Sequence, residues 1–485
     1  LSNKAVYLGI DIGTSGVKAV LLAPDGTLLG QSTAPLAVSR PQPLWSEQDP
    51  DDWWAAVGQA VTGLDAGGRA AVQGIGLSGQ MHGATLLGAD DRPLRPAILW
   101  NDGRSAAECI ELERIEPRSR AITGNIAMPG FTAPKLQWVR RHEPTVHAAV
   151  RCVLLPKDYV RLCMTGDKES DLSDSAGTLW LDVGARRWSE PMLAACGLSA
   201  AQMPGLHEGT GVTGALRADV AQDWGMRRVP VVAGGGDNAA GAVGVGIAAD
   251  GDAMLSLGTS GVIFVATAGF RPNAARAVHT FCHCLPGLWH QMSVQLSAAS
   301  CVDWVSRLVG AGDVGSAMAL AQHAGVATGT ELFLPYLSGE RTPHNDPLVR
   351  GAFLGLGHDS DRGRLVAAVL EGVAFALADG LDALRQAGTQ VGQLTVIGGG
   401  ARSQHWGAII AAVLDTPLAY VEGGEVGPAL GAARLARLAL GGEPVATVCA
   451  RPPVTRVIEP DVALAAKLAP LRARFQAAYA HIREH

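Results

Sequence analysis

One pentapeptide occurs twice in this 485-residue chain, and its spacing constrains the fold more than any other feature. Gly13-Thr14-Ser15-Gly16-Val17 returns as Gly258-Thr259-Ser260-Gly261-Val262, 245 residues downstream. Each Gly-Thr-Ser-Gly tetrad lies between apolar runs, LGIDI and VKAVLL around the first and MLSL and VIFVA around the second. Apolar run, glycine-bounded polar tetrad, apolar run is a β-hairpin signal. A hairpin repeated at half the chain length predicts two similarly built domains facing each other. Such a turn exposes backbone N–H groups and short hydroxyls, a concavity suited to phosphates. Asp11 stands just before the first turn, where a carboxylate can hold a divalent cation directly or through water. The second copy has Ser256 there. Two ordinary glycine hairpins are the plainer alternative, and the mirrored placement favours phosphate binding over it.

Bulk properties narrow the class. The chain is too long for one ordinary domain, and 48% hydrophobic with 17% charged residues is globular composition. A net charge of −6 without a basic block argues against nucleic acid and anionic membranes as partners. No apolar run has transmembrane length, and residues 1–4 lead straight into a strand, so a cytoplasmic protein without a signal peptide is expected. Eight cysteines spread over this length are not a disulfide framework. G-x-x-x-x-G-K-[ST] and the protein-kinase signatures are both missing from the sequence, which excludes those two ATP-binding classes.

In chain order, Asp25-Gly26 turns into a third strand over 27–33, the opening of an RNase H-like α/β domain. Asp49 as N-cap and Pro50 at the first helical position start a helix through Trp53 and Trp54. Residues 74–79 match G-x-G-x-x-G, yet apolar residues run through the glycines as in a strand ending at Gly79, so dinucleotide binding is rejected. Gln80, Met81 and His82 follow that strand end, and Trp100, Asn101, Asp102 and Arg104 follow another. Amide, imidazole, carboxylate and guanidinium beside an indole and a thioether suit a polyhydroxylated sugar. Residues 229–246 run from an apolar strand through Gly234-Gly235-Gly236 to Asp237-Asn238 and a small-residue helix. Asp237 at a helix start is either an N-cap or a carboxylate placed for chemistry. His279, Cys282, His283, Cys284 and His290 form a dense Cys/His cluster without the paired spacing of a zinc site. Val396-Ile397-Gly398-Gly399-Gly400-Ala401 is a strand and glycine turn against which a flat ligand can lie, or a plain strand–helix turn. Residues 423–433 repeat the small-residue helix theme. Leu464, Leu468, Leu471, Phe475, Tyr479 and Ile482 recur at helical steps, a terminal helix for packing.

The two hairpins, residues 79–84 and 100–104, residues 130–138, the GGGDN stretch, residues 337–344 and residues 351–371 together resemble the FGGY carbohydrate kinases. The resemblance covers nearly the whole chain, with the motifs in family order. It implies two RNase H-like domains of the actin and heat-shock-chaperone type around a central cleft, residues 1–246 for sugar and 247–485 for nucleotide. It implies ATP and Mg²⁺, with Asp237 as catalytic base and Asp11 as the catalytic and metal-orienting carboxylate. Gln80, Met81, His82, Trp100, Asp102 and Asn238 are the implied sugar contacts. Gly13, Thr14, Ser15, Lys18, Gly258, Thr259, Ser260, Gly399, Gly400 and Ala401 are the implied nucleotide contacts. The loops at 79–84 and 100–104 resemble the family's D-xylulose-phosphorylating members rather than its glycerol kinases. L-Ribulose, glycerol, gluconate or a non-catalytic ATP-binding relative are the alternatives. ATP and a small sugar are the expected partners, with a homodimer as the candidate assembly. The family uses no metal at the Cys/His cluster, and no role is implied for 337–344 beyond the cleft.

Overall fold

The computed structural model describes residues 5–422 and 427–483. Residues 1–4, and the first four residues of the small-residue stretch at 423–433, lie outside the described residues, as does the Ala401 side chain. The duplication announced by the pentapeptides extends to whole sheets. In the first sheet, Val6–Ile12 pairs antiparallel with Gly16–Leu22, which pairs antiparallel with Leu28–Pro35. On its other side Val6–Ile12 pairs parallel with Val72–Gly79, followed by parallel Pro230–Val232 and antiparallel Val212–Ala215. The second sheet repeats this plan. Ala253–Leu257 pairs antiparallel with Gly261–Thr267, which pairs antiparallel with Trp289–Gln295. Its other side carries Leu394–Ile397 and Leu418–Val421 in parallel and Val454–Ile458 antiparallel, with His279–Cys282 added beyond Trp289–Gln295. The fold is thus α/β, with two sheets of one topology, as the hairpin repeat predicts.

Strand Val6–Ile12 is buried along almost its whole length rather than alternately, because helices cover both faces of its sheet. Helix Pro50–Thr62, capped by Asp49 with Pro50 in its first turn, packs against the hairpin. Helix Pro428–Gly441 lies across Val6–Ile12, Gly16–Leu22 and Val72–Gly79 and against helix Asp237–Gly244. This late helix therefore packs back from the second half of the chain onto the first sheet. The glycines of the rejected dinucleotide match make room for it. A Cβ at Gly76 would meet the Ala432 carbonyl oxygen at 1.8 Å, and one at Gly9 the Ala429 oxygen at 1.9 Å. The G-x-G-x-x-G match is a helix-docking slot inside strand Val72–Gly79. The second sheet buries helix Arg362–Gln386 and the terminal helix Val462–Ile482, the latter through Leu468, Leu471 and Phe475. Among the described residues, no helix is long and apolar enough to cross a membrane.

Candidate active site

The GGG-Asp-Asn stretch folds as its pattern predicts. Strand Pro230–Val232 runs into the glycine turn, Gly236 takes the N-cap position, and Asp237 opens helix Asp237–Gly244. The Asn238 backbone N–H and Nδ2 both donate to Asp237 Oδ1, at 2.7 and 2.9 Å, leaving Oδ2 without a protein donor among the described residues. Burial pushes the Asp237 carboxyl up to about 6, against the downward pull of those two bonds. That value suits a general base near neutral pH. The turn itself is braced from behind, where Ser173 Oγ accepts from the Gly236 N–H at 3.1 Å and donates to Asp171.

Asp11 ends its strand opposite Lys18. Burial and the neighbouring charge of Asp237 push its carboxyl up to about 7, and Oδ1 is buried without a hydrogen-bond partner. A buried carboxyl with an orphaned oxygen, beside a second carboxyl whose charge raises its proton affinity, forms a donor set that a hard divalent cation would satisfy. Among the described residues no cluster of three protein ligands converges anywhere, the Cys/His stretch included, so such a cation would need phosphate oxygens or water to complete its shell.

A cavity of about 270 Å³ opens in front of Asp237. Met81, His82, Trp100, Phe131, Asp237 and Asn238 line it from the first half of the chain, and Ser260, Val262, His279, Phe281, Met292, Val294 and Arg341 from the second. Both halves of the chain thus build this pocket, where the sequence assigns sugar binding to the first domain. His82 sits at φ 70°, a left-handed conformation that costs a side-chain-bearing residue roughly 1–2 kcal/mol. Three hydrogen bonds hold it there. Its carbonyl accepts from Lys135 Nζ at 2.9 Å and Thr132 Oγ1 at 3.1 Å, and its Nδ1 donates to the Gly177 carbonyl at 2.6 Å. At about 0.5–1.5 kcal/mol each, these offset the strain. Burial holds the imidazole neutral, its pKa lowered to about 3, so Nε2 remains a lone-pair acceptor. Lys135 and Thr132 belong to a segment that reads in sequence as an ordinary amphipathic helix, and nothing in the pattern marks them.

Two expected sugar contacts, Gln80 and Asp102, are not among the residues lining this cavity. Gln80 is buried, its Oε1 accepting from Thr14 Oγ1 and its Nε2 donating to Gln48 Oε1, both at 2.9 Å. Asp102 is buried, gripping Arg104 through two oxygens and accepting from the Ser46 N–H at 2.6 Å. Trp100 does line the pocket, and its Nε1 donates to Thr14 Oγ1 at 2.9 Å.

A second cavity, about 720 Å³, lies beside the repeat hairpin and is lined by Gly258, Thr259, Asp303, Met318, Gly399, Gly400, Arg402 and Trp406, among others. Gly399 and Gly400 follow strand Leu394–Ile397 in a single 3₁₀ turn, the position past a strand end where α/β sheets bind ligands. Gly13, Thr14, Ser15 and Lys18, expected at the nucleotide, line neither cavity. Ser260, expected there too, faces the smaller cavity while Thr259 faces the larger. The second turn is therefore the partition between the two.

Known proteins share this architecture. Residues 6–244 match the N-terminal domain of the FGGY family of carbohydrate kinases, and residues 253–440 match its C-terminal domain. The chain is 57% identical to a xylulose kinase of Escherichia coli over 90% of its own length and 91% of the relative's. It is 54% identical to a xylulose kinase of Klebsiella pneumoniae over 97% and 98%. A crystal structure described as a xyloylose kinase from Brucella ovis superposes with a TM-score of 0.94 at 52% identity, covering 99% of both chains.

Proposed function

The chain belongs to the FGGY family of carbohydrate kinases, and on that premise we propose that it phosphorylates D-xylulose from ATP at the join of the two cavities. The sugar occupies the smaller cavity and ATP the larger, with its γ-phosphate reaching past Thr259 toward Asp237. Oδ2 of Asp237 takes the proton of the sugar's 5-hydroxyl. The freed oxygen forms the new bond to the γ-phosphorus as the bond to the β-phosphate oxygen breaks, giving D-xylulose 5-phosphate and ADP. Phosphoryl transfer needs little covalent help, so positioning and charge neutralisation carry the rate. Asn238 fixes the base through Oδ1, His82 accepts from a sugar hydroxyl, and Trp100 and Phe131 wall the space for the sugar. Asp11, with its unpartnered buried oxygen, would hold a Mg²⁺ ion, which when bound would supply charge neutralisation.

The observation that carries this reading is the placement of Asp237. A carboxyl poised near pH 6 with one free oxygen stands in a sugar-sized polar pocket, divided from a nucleotide-sized one by a single turn. ADP release with Mg-ATP tests it against D-xylulose, L-ribulose, glycerol, gluconate and a no-sugar blank. Rapid turnover with D-xylulose and little with the others is expected. Preference for another sugar would overturn the substrate, and turnover with none would overturn the kinase reading.

A further inference from the structure

The loop at 337–344 has no role in the scheme above, yet it sends Arg341 into the sugar cavity. Burial lowers the guanidinium's proton affinity, and among the described residues Glu340 is the one carboxylate whose field opposes that. Glu340 makes no ion pair with it. One Glu340 oxygen accepts instead from the Leu296 and Arg341 backbone N–H groups, at 3.0 and 2.7 Å. The remaining contact of the guanidinium is a long one, Nη1 to His279 Nε2 at 3.4 Å.

The tautomer of His279 is fixed from outside. Asn125 donates through Nδ2 to the Thr123 and Thr280 carbonyls, so its Oδ1 must accept, and His279 Nδ1 donates to it at 3.1 Å. His279 Nε2 is then a lone pair facing Arg341, and the planar fork is steered with its other N–H groups toward the cavity. Arg341 enters the cavity beside His279 from the second half of the chain, whereas Asp237 enters at the start of helix Asp237–Gly244 in the first, so the two meet the pocket from different sides. Phe281, Met292 and Val294 make the rest of this wall apolar, and the acceptor beside it, His279 Nε2, already faces Arg341.

The chemistry of a 2-pentulose says what that side must meet. Ring closure of such a sugar joins C2 to the 5-oxygen, so the molecule with a free 5-hydroxyl is the open chain, and it necessarily carries a C2 carbonyl. A carbonyl accepts hydrogen bonds and donates none. A hydroxyl in its place would bring a hydrogen that the apolar wall leaves unpaired, a penalty of the kind that gives hydrogen-bonding sites their discrimination. We propose that Arg341 recognises the C2 keto group of the open-chain sugar, so that the pocket selects the tautomer whose 5-hydroxyl is free to react. The inference rests on the D-xylulose reading and deepens it.

Steady-state kinetics of wild type, Arg341→Met and Arg341→Lys with D-xylulose and with xylitol, its C2-reduced analogue, test it. Arg341→Met should raise KM for D-xylulose about 10- to 100-fold, the loss of a charged hydrogen bond, with kcat within about threefold because the base is untouched. The ratio of kcat/KM between D-xylulose and xylitol should fall by nearly the same factor, and Arg341→Lys should recover part of it. The pH dependence of kcat should stay where wild type has it. An unchanged ratio in Arg341→Met, or equal losses on both substrates in a variant that still binds ATP, would overturn the role of Arg341. If Arg341→Met does not fold, an unchanged ratio in Arg341→Lys overturns it as well, since an ammonium cannot reproduce the fork. A wild type that prefers xylitol overturns the ketose reading itself, whatever the variants do.

Discussion

The two Gly-Thr-Ser-Gly-Val turns are identical in sequence and have different fates in the fold. The first closes from Gly13 N–H to Gly16 O, with Ile12 paired to Val17. The second closes one residue tighter, from Gly258 N–H to Ser260 O, with Leu257 paired to Gly261. Around the first, Thr14 is held on all sides: its hydroxyl bridges Trp100 and Gln80, and its carbonyl accepts from Gln48 Nε2. Around the second, the Gly258 and Thr259 carbonyls accept from the Ala299 and Ala298 N–H groups at the start of helix Ala299–Leu308. That docking turns the Thr259 and Ser260 side chains outward, into the two cavities. The pentapeptide supplies a turn, and its neighbours decide whether the turn supports a wall or faces a ligand. The carboxylate has diverged in the same sense, Asp11 before the supporting turn and Ser256 before the facing one.

Matched substitutions break this comparison most sharply at the carboxylate. Asp11→Asn should lower kcat by about 10³-fold through lost electrostatic stabilisation, while Ser256→Ala in the paired strand stays within about twofold in the same ADP-release assay. Equal losses would mean that the copies are functionally equivalent. At the threonines the effect should be smaller and of two kinds. Thr259→Ala should cost about 10- to 100-fold in kcat/KM for ATP, one hydrogen bond to a charged group. Thr14→Ala should raise KM for the sugar only about fivefold, the net effect of two neutral bonds lost behind Trp100, and an ATP-specific defect there would reverse the assignment.

Two effects of pH sharpen the picture further. With its folded pKa near 6, Asp237 acts as base only when ionised, so kcat/KM for the sugar should rise with pH through about 6. Asn238→Ala removes the Nδ2 bond that favours the ionised form and keeps the backbone one, so the acidic limb should move to higher pH; a downward move would contradict the assignment of that bond. The smallest effect is on stability. The folded pKa of Asp11 is near 7, above its unfolded value, so the folded state binds the extra proton and loses stability as pH rises from about 4 to 7. Asp11→Asn removes that loss. Without nucleotide it should therefore raise Tm at pH 8 by a few degrees and leave it unchanged at pH 4, which calorimetry at the two pH values can check.

The hairpins, Asp11, the placement of Asp237 and the glycine turn at 399–400 were legible in sequence because each is a local pattern with one geometric outcome. What escaped needed the third dimension. Gln80 and Asp102 stand past strand ends as sugar contacts should, but Gln48 and Thr14 claim the one and Arg104 and Ser46 the other, partners 2 to 66 residues distant. His279 and Arg341 reach the pocket because the second sheet faces the first, a relation no periodicity records. Helix Pro428–Gly441 crosses back to the first sheet, and the trace of that docking in the sequence is a run of glycines that mimics a nucleotide loop.

The central claim is that Asp237 moves a proton rather than holding the sugar. Calorimetric titration of D-xylulose into wild type and Asp237→Ala, beside kcat for both, tests it most directly. The account predicts dissociation constants within about threefold and kcat lower by about 10²- to 10⁴-fold, the range of a lost general base. Sugar binding abolished in step with turnover, or turnover retained, would contradict it.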